Sequence, residues 1–226
     1  YGGVRNSFGT DLAILCQLEI DRKTVLISDK SWSASQEGPL GLNDLMQGEC
    51  YDARKENICE WHPVTEKQFG YENLVCSNSF DVVEKENYTG KQIHTPNGEV
   101  VIDFGQNIAG YVKFGFYAQA GQCITLYHGE CLDQNGNFTQ ENFQAPEHRV
   151  EQCVKYICKE GWNEYKPEKS IFGFRYIKAI TDVKVTEKNF TAIAVYSDMP
   201  QTGKFECGHP GINQLFSNAG WIMKGN

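Results

Sequence analysis

The sequence predicts a mainly β protein: two antiparallel β-sandwich units, the first partial, followed by a single C-terminal helix. Three observations carry this. Apolar residues alternate with period two over many short runs. Gly and Asn turn signals separate those runs. Helical spacing of apolar residues occurs only at the C-terminus, so no crossover helices connect the strands and a parallel sheet is not expected.

Taken in order, AILCQLEI places Ile14, Cys16, Leu18 and Ile20 on one strand face. EVVIDFG does the same with Val100, Ile102 and Phe104, and YVKFGFYA with Val112, Phe114 and Phe116. VEQCVKYIC continues the alternation, FGFRYIKAI puts Phe172, Phe174 and Tyr176 on one side, and FTAIAVYSD adds another run. The stretch from Val64 to Asn78 has weak strand signal and many polar residues, so a domain boundary is expected there or shortly after. In HPGINQLFSNAGWIMKGN, Ile212, Leu215, Phe216, Ala219, Ile222 and Met223 recur at helical spacing. Pro210 suits a first turn, so a short amphipathic helix is expected from about Pro210 to the end. The expected organisation is a partial sandwich over 1–78, a second sandwich over 79–197, and a linker with one helix over 198–226.

Composition narrows the function classes. With 226 residues and 40% hydrophobic content the chain is globular rather than disordered. The net charge is -8 and no basic stripe is visible, so nucleic acid is not an expected partner. No apolar run approaches the roughly 20 residues of a membrane-spanning helix, and no membrane partner is expected. Nine cysteines, an odd number without any C-x-x-C, read as small buried hydrophobes in a reducing compartment; a cytoplasmic location follows as the expectation. The chain opens Tyr1-Gly2-Gly3 with neither start methionine nor signal-peptide pattern. It therefore reads as a piece of something longer, which leaves secretion open.

Candidate chemistry is sparse. Asp103 and Glu130 both sit in strand-like runs and form a candidate acid/base pair for a glycosidic bond; strand carboxylates more commonly cap turns or bridge to a basic residue. Asp133, Asn135 and Asn137 offer alternating oxygen ligands and make a weak calcium candidate. The Gly is displaced from its usual place in such loops, and Asn135-Gly136 is also a strong hairpin-turn signal, the favoured reading. His62, His94, His128, His148 and His209 form no metal-binding pair, and no other metal site is suggested. Phosphate-binding, dinucleotide-binding and G-x-S-x-G motifs are absent, so no cofactor is expected. Trp32, Trp61, Trp162 and Trp221 offer flat faces on which a sugar ring stacks, or else pack internally. Asn87, Asn137 and Asn189 each begin an Asn-X-Thr glycosylation pattern.

Four stretches carry a resemblance. They are SDKSWSASQEGPL with GECYDAR (28–54), IDFGQNIAGYVKF (102–114), GQCITLYHGECLDQNGN (121–137), and IFGFRYIKA (171–179) followed by TGKFECGHPGINQLF. In order and spacing they resemble the non-catalytic front half of bacterial α-L-rhamnosidases of glycoside hydrolase family 78. The resemblance covers essentially the whole chain. It implies an N-terminal β-sandwich, a concanavalin-like sandwich, and a helix leading toward an (α/α)6 barrel that holds the catalytic carboxylates. Residues after the last strand are too few for twelve helices of about 12 residues each. No catalytic residue of the family is therefore carried onto this chain. The expectation is an accessory region of an α-L-rhamnosidase, inactive alone, partnered by the barrel of its parent. The parent would hydrolyse terminal α-L-rhamnosyl groups of glycosides with inversion.

Gly105, Gly110 and Gly173 read as bulge, turn or close-packing positions, and Tyr51, Asp52 and Arg54 as a polar network tying a loop to the sandwich. Asp103, Gln106, Asn107 and Trp162 are the candidate carbohydrate-binding residues, with rhamnosides the candidate ligands. Two alternatives belong to other classes. One is a carbohydrate-binding module with an exposed aromatic platform. The other is a structural interaction domain that forms a homodimer through Leu215, Phe216 and Ile222 of the C-terminal helix.

Overall fold

The computed structural model describes residues 12–45, 47–68, 70–143 and 151–225. His148 and the opening Tyr1-Gly2-Gly3 lie outside the described residues. In chain order the strands are β1 (Gln17–Ile20), β2 (Lys23–Ile27), β3 (Ser33–Ala34), β4 (Leu40–Asp44), β5 (Gly48–Asp52), β6 (His62–Pro63) and β7 (Val82–Thr89). There follow β8 (Lys91–His94), β9 (Val100–Ala118), β10 (Cys123–Gly129), β11 (Cys153–Ile157), β12 (Gly161–Tyr165), β13 (Phe172–Thr181) and β14 (Phe190–Ser197). Helix α1 (Pro210–Lys224) closes the sequence of elements, with Pro210 in its first turn as its spacing predicts. The chain is mainly β, as expected.

The described part of the smaller unit, drawn from residues before Pro39 and from Lys55–Ser77, holds two two-stranded sheets, β1–β2 and β3–β6. The β1–β2 turn is Asp21-Arg22, and both residues take positive φ (51° and 64°). That is the two-residue turn whose twist matches the flanking strands. Leu18 and Ile20, assigned to one strand face, are exposed in β1.

The larger unit is Pro39–Arg54 with Asn78–Asn226. Its ten-stranded sheet runs β4-β5-β11-β10-β13-β9-β14-β7, with β8 and β12 also paired to β9. β9 explains the curl of this sheet. Its 19 residues would extend about 60 Å if straight. Its first part pairs with β8 and β13, and its last part with β14 and β12. One strand thus serves two parts of the sheet and encloses a single core. Ile102, Phe104, Ile108, Val112, Phe114 and Phe116 enter that core from β9 at even positions. Ile124 and Leu126 join from β10, Val154 and Tyr156 from β11, and Ala192 and Ala194 from β14.

Two details differ from the expected pattern. β5 runs parallel to β11 in an otherwise antiparallel sheet. Alternation reports which face a residue occupies, not the direction of its neighbour. Phe172 and Phe174 enter the core cluster, but Tyr176 does not; Ile177 and Ala179 take over. The register of β13 against β9 breaks between Phe174 and Tyr176, which moves the inward parity by one residue.

Candidate functional site

That break in register builds the site. Phe174 pairs with Ile108 and Tyr176 with Asp103, so Phe104–Asn107 on β9 stand opposite the lone Arg175 on β13. The surplus residues form a bulge, and Gly105 turns it with φ of +78°. Asp103 ties its base. Oδ1 accepts hydrogen bonds from the Gly105 N–H (2.7 Å) and from Arg175 Nε (2.8 Å), and Oδ2 accepts from Arg175 Nη2 (2.8 Å). Partial burial raises the Asp103 carboxyl pKa, but the bonds from Arg175 and Gly105 outweigh it and hold the group below the usual carboxylate range. Asp103 is thus a positioning residue, and Gln106 and Asn107 are what the bulge presents.

Gln106 donates to the Asn107 carbonyl (2.9 Å), and Asn107 Nδ2 reaches Glu130 Oε1 (3.4 Å). Glu130 is held from its other oxygen by Asn142 Nδ2 (2.9 Å). Asp103 and Glu130, the candidate acid/base pair, are therefore both engaged in structural bonds.

Gln106, Asn107 and Glu130 line one side of a cleft of about 330 Å³. The buried Ile108 and Ala194 supply its apolar base, and Asn218, Trp221 and Lys224 of α1 line the opposite side. The helix is fastened there by a small polar-aromatic cluster. Lys224 Nζ donates to Glu86 Oε1 (3.1 Å) and lies over the Trp221 and Tyr196 rings, 4.2 and 4.9 Å from their centroids. The Tyr196 hydroxyl donates to the same Glu86 oxygen (2.8 Å), and Trp221 meets the Tyr88 ring edge-on at 6.3 Å. Such cation–π contacts favour a desolvated ammonium over the indole face. Burial raises the Glu86 pKa, but Tyr196 and Lys224 bring it below the ordinary value. The helix thus attaches through Trp221 and Lys224. Leu215 and Ile222 of the predicted apolar stripe stay 67% and 74% exposed.

Trp162 is not in this cleft. It lies on β12 opposite Tyr117, at the far end of β9 from the bulge. Its ring meets Tyr117 at 5.1 Å and 65°; the two are 49% and 76% exposed. Gly115 makes room for it, since a Cβ there would come within 2.8 Å of the indole. Of the four residues grouped as carbohydrate-binding, the structure brings three together on the bulge and places the fourth elsewhere.

The Asp133–Asn137 loop is a turn. Asp133 Oδ1 accepts from the N–H groups of Asn135 and Asn137 (both 2.8 Å), and Asn137 Oδ1 accepts from the Asn97 N–H (3.0 Å). Only Gly136 takes positive φ (83°), so the turn is not one with both central residues left-handed. Among the described residues no group of three or more His, Cys, Asp or Glu is placed to hold a metal. Because Asp133 serves its own backbone, adding calcium or a chelator is expected to leave the melting temperature unchanged; a calcium-dependent rise in a thermal melt would contradict this. Of the Asn-X-Thr positions, Asn137 is buried, Asn189 donates to the Gly115 carbonyl (2.7 Å), and Asn87 is exposed.

Two buried polar residues had no distinguishing sequence signal. Glu49 on β5 accepts from Tyr165 and from consecutive backbone N–H groups of the chain at 168–170. His128 is fully buried under Phe172 and Phe174. His128 sits in the alternating strand β10 and Glu49 in β5, which has no apolar alternation, and only tertiary partners single either out.

Comparison with known proteins agrees with this architecture. Residues 1–93 match the α-L-rhamnosidase N-terminal domain, and residues 93–196 match the bacterial α-L-rhamnosidase concanavalin-like domain. An α-L-rhamnosidase of Formosa agariphila is 28% identical over 235 residues, covering 94% of this chain and 24% of the relative. The native α-L-rhamnosidase structure from Aspergillus terreus matches with a TM-score of 0.80 at 30% identity, over 91% of this chain and 25% of that one. The Streptomyces avermitilis α-L-rhamnosidase complexed with L-rhamnose gives 0.78 at 27% identity, over 94% and 22%. The chain spans about a quarter of the length of these relatives. With two successive domain models of one family matched in order over residues 1–196, and with solved α-L-rhamnosidases sharing the fold, the chain belongs to the α-L-rhamnosidase family, of which it carries the N-terminal and concanavalin-like domains.

Proposed function

We propose that this chain is a non-catalytic scaffold within an α-L-rhamnosidase whose acid and base lie outside the domains matched here. The parent enzyme would remove terminal α-L-rhamnosyl groups with inversion, one carboxyl group protonating the leaving oxygen while another activates water on the opposite face. One observation carries the reading for this chain: its candidate carboxylate pair is spent. Asp103 is locked in a two-bond ion pair with Arg175, and Glu130 is held by Asn107 and Asn142. An inverting pair instead needs one proton-bearing acid and one free base. In this reading the exposed stripe of α1 packs against the catalytic barrel of the parent. The nine cysteines, all unpaired thiols, support a reducing, cytoplasmic setting.

The purified 226-residue chain is expected to show no turnover of p-nitrophenyl α-L-rhamnoside. Activity that co-purifies with the chain and scales with its amount would overturn the reading.

A further inference from the structure

We propose that the cleft between the β9 bulge and helix α1 is a binding site for a single neutral sugar ring. The proposal rests on the accessory-region reading only for the choice of L-rhamnose as first probe. The lining chemistry selects the ligand class. Gln106 Oε1 and Asn107 Oδ1, whose amide nitrogens are engaged elsewhere, offer acceptors on one side. On the other side, Asn218 accepts from Gln214 through Oδ1 (2.8 Å), which leaves its Nδ2 hydrogens for a ligand. Hydroxyl groups both donate and accept, and so satisfy both walls. Ile108 and Ala194 at the base give a C–H face something apolar to rest on.

Other classes fit less well. An anion would meet the Glu130 carboxylate, while the Lys224 charge is already matched by Glu86. A cation would find one carboxylate, Glu130, whose two oxygens already accept from Asn107 and Asn142. A purely apolar ligand would strip water from three amides and a carboxylate without replacing their bonds. The volume, about 330 Å³, lies at the small end of ligand sites, which favours one ring over an oligosaccharide.

The architecture supplies a second, independent argument. Four residues opposite one is a costly departure from a regular ladder. It is braced by a two-bond ion pair and a glycine at positive φ. Bulges of this kind re-aim side chains, and here the re-aimed pair is Gln106 and Asn107.

The test is a titration of the ¹⁵N-labelled full chain with L-rhamnose, with D-glucose as a second probe, followed by NMR. Saturable millimolar shifts are expected at the Trp221 indole N–H and at the amide groups of Gln106, Asn107 and Asn218. Gln106→Ala and Asn218→Ala should each weaken binding about fivefold, the effect of one lost hydrogen bond. Both residues are at the surface of the cleft and outside the core cluster, so the fold should survive. Trp162→Ala should leave binding unchanged. Glucose binding alongside rhamnose supports a site for neutral rings. No saturable shift with either sugar overturns the proposal. So does binding abolished by Trp162→Ala but indifferent to Gln106→Ala, which would move the site to the Trp162–Tyr117 pair. Because the readout is binding, its failure leaves the scaffold reading intact, and turnover of the nitrophenyl substrate would sink that reading without touching the cleft.

Discussion

Lowering the pH from about 7.5 to about 4.5 is expected to remove roughly 2–3 kcal/mol of stability from the larger unit through His128 alone. His128 Nδ1 lies 3.1 Å from the Gln152 carbonyl, so the neutral ring donates there. Nε2 is buried with no partner among the described residues. The ring stacks on Phe172 at 4.2 Å and meets the edge of Phe174 at 5.0 Å. A charged imidazolium has no solvent or counter-ion in that setting. Burial therefore lowers the pKa from 6.5 to about 4, and the bond to Gln152 offsets only part of the shift. The sign follows from linkage. Above pH 6.5 both states are neutral and the stability is fully present. As pH falls through 6.5 the unfolded chain takes up a proton that the folded one refuses, and the loss is complete near pH 4.

Other groups act in a different window. Glu84, Glu86 and Asp103 are held below ordinary carboxylate values, Glu84 mainly by bonds from Lys166 and Tyr111. Their contributions are intact above about pH 4.5 and are lost only below it. The other described histidines, His62, His94 and His209, are exposed. Urea unfolding at the two pH values reads the difference directly. In His128→Gln, which keeps a donor for Gln152, the loss over this interval should largely disappear. An equal loss in the variant and the parent chain would remove His128 as the cause.

This contrast between silent and informative residues describes what was legible. The inward face of Val112, Phe114 and Phe116 followed from alternation, because β9 is half-buried along that stretch. Helix α1 followed from apolar spacing and Pro210. The helix face that docks did not. The apolar stripe marked Leu215 and Ile222 for an outside partner and was silent on the face toward the sheet, where Trp221 and Lys224 make the contact with Glu86, Tyr88 and Tyr196. The bulge at 104–107 was equally hidden. Gly105 marked a place where the backbone departs from regularity, but how many residues stand opposite Arg175 is a property of the pairing. Asp103 and Trp162 looked alike as candidate ligand contacts. Only the fold shows that one braces the bulge and the other lies on a different part of the surface.

Glu49→Ala is expected to cost the larger unit about 3 kcal/mol or more, the largest effect of any single truncation considered. Glu49 is 1% exposed on β5, whose parallel pairing with β11 carries it into the interior. Its carboxyl group gathers the chain that follows β12. Oε1 accepts from the N–H groups of Lys169 (2.7 Å) and Ser170 (2.8 Å), and Oε2 accepts from the Tyr165 hydroxyl (2.7 Å) and the Glu168 N–H (3.3 Å). Removing the acceptor strands these donors together, and Ser170 is itself fully buried and has no access to water. Stranded donors cost about 1–3 kcal/mol each when nothing replaces their partner. Tyr165→Phe deletes one donor and leaves the carboxylate its other partners, so it should cost only about 1 kcal/mol. In the double variant the two effects should be less than additive, since Tyr165 has no acceptor left to lose. Hydrogen exchange at the Lys169 and Ser170 amides supplies a local readout: protection should collapse in Glu49→Ala and persist in Tyr165→Phe. A Glu49→Ala chain that unfolds within 1 kcal/mol of its parent, with those amides still protected, would show that water or another group takes over the acceptor role.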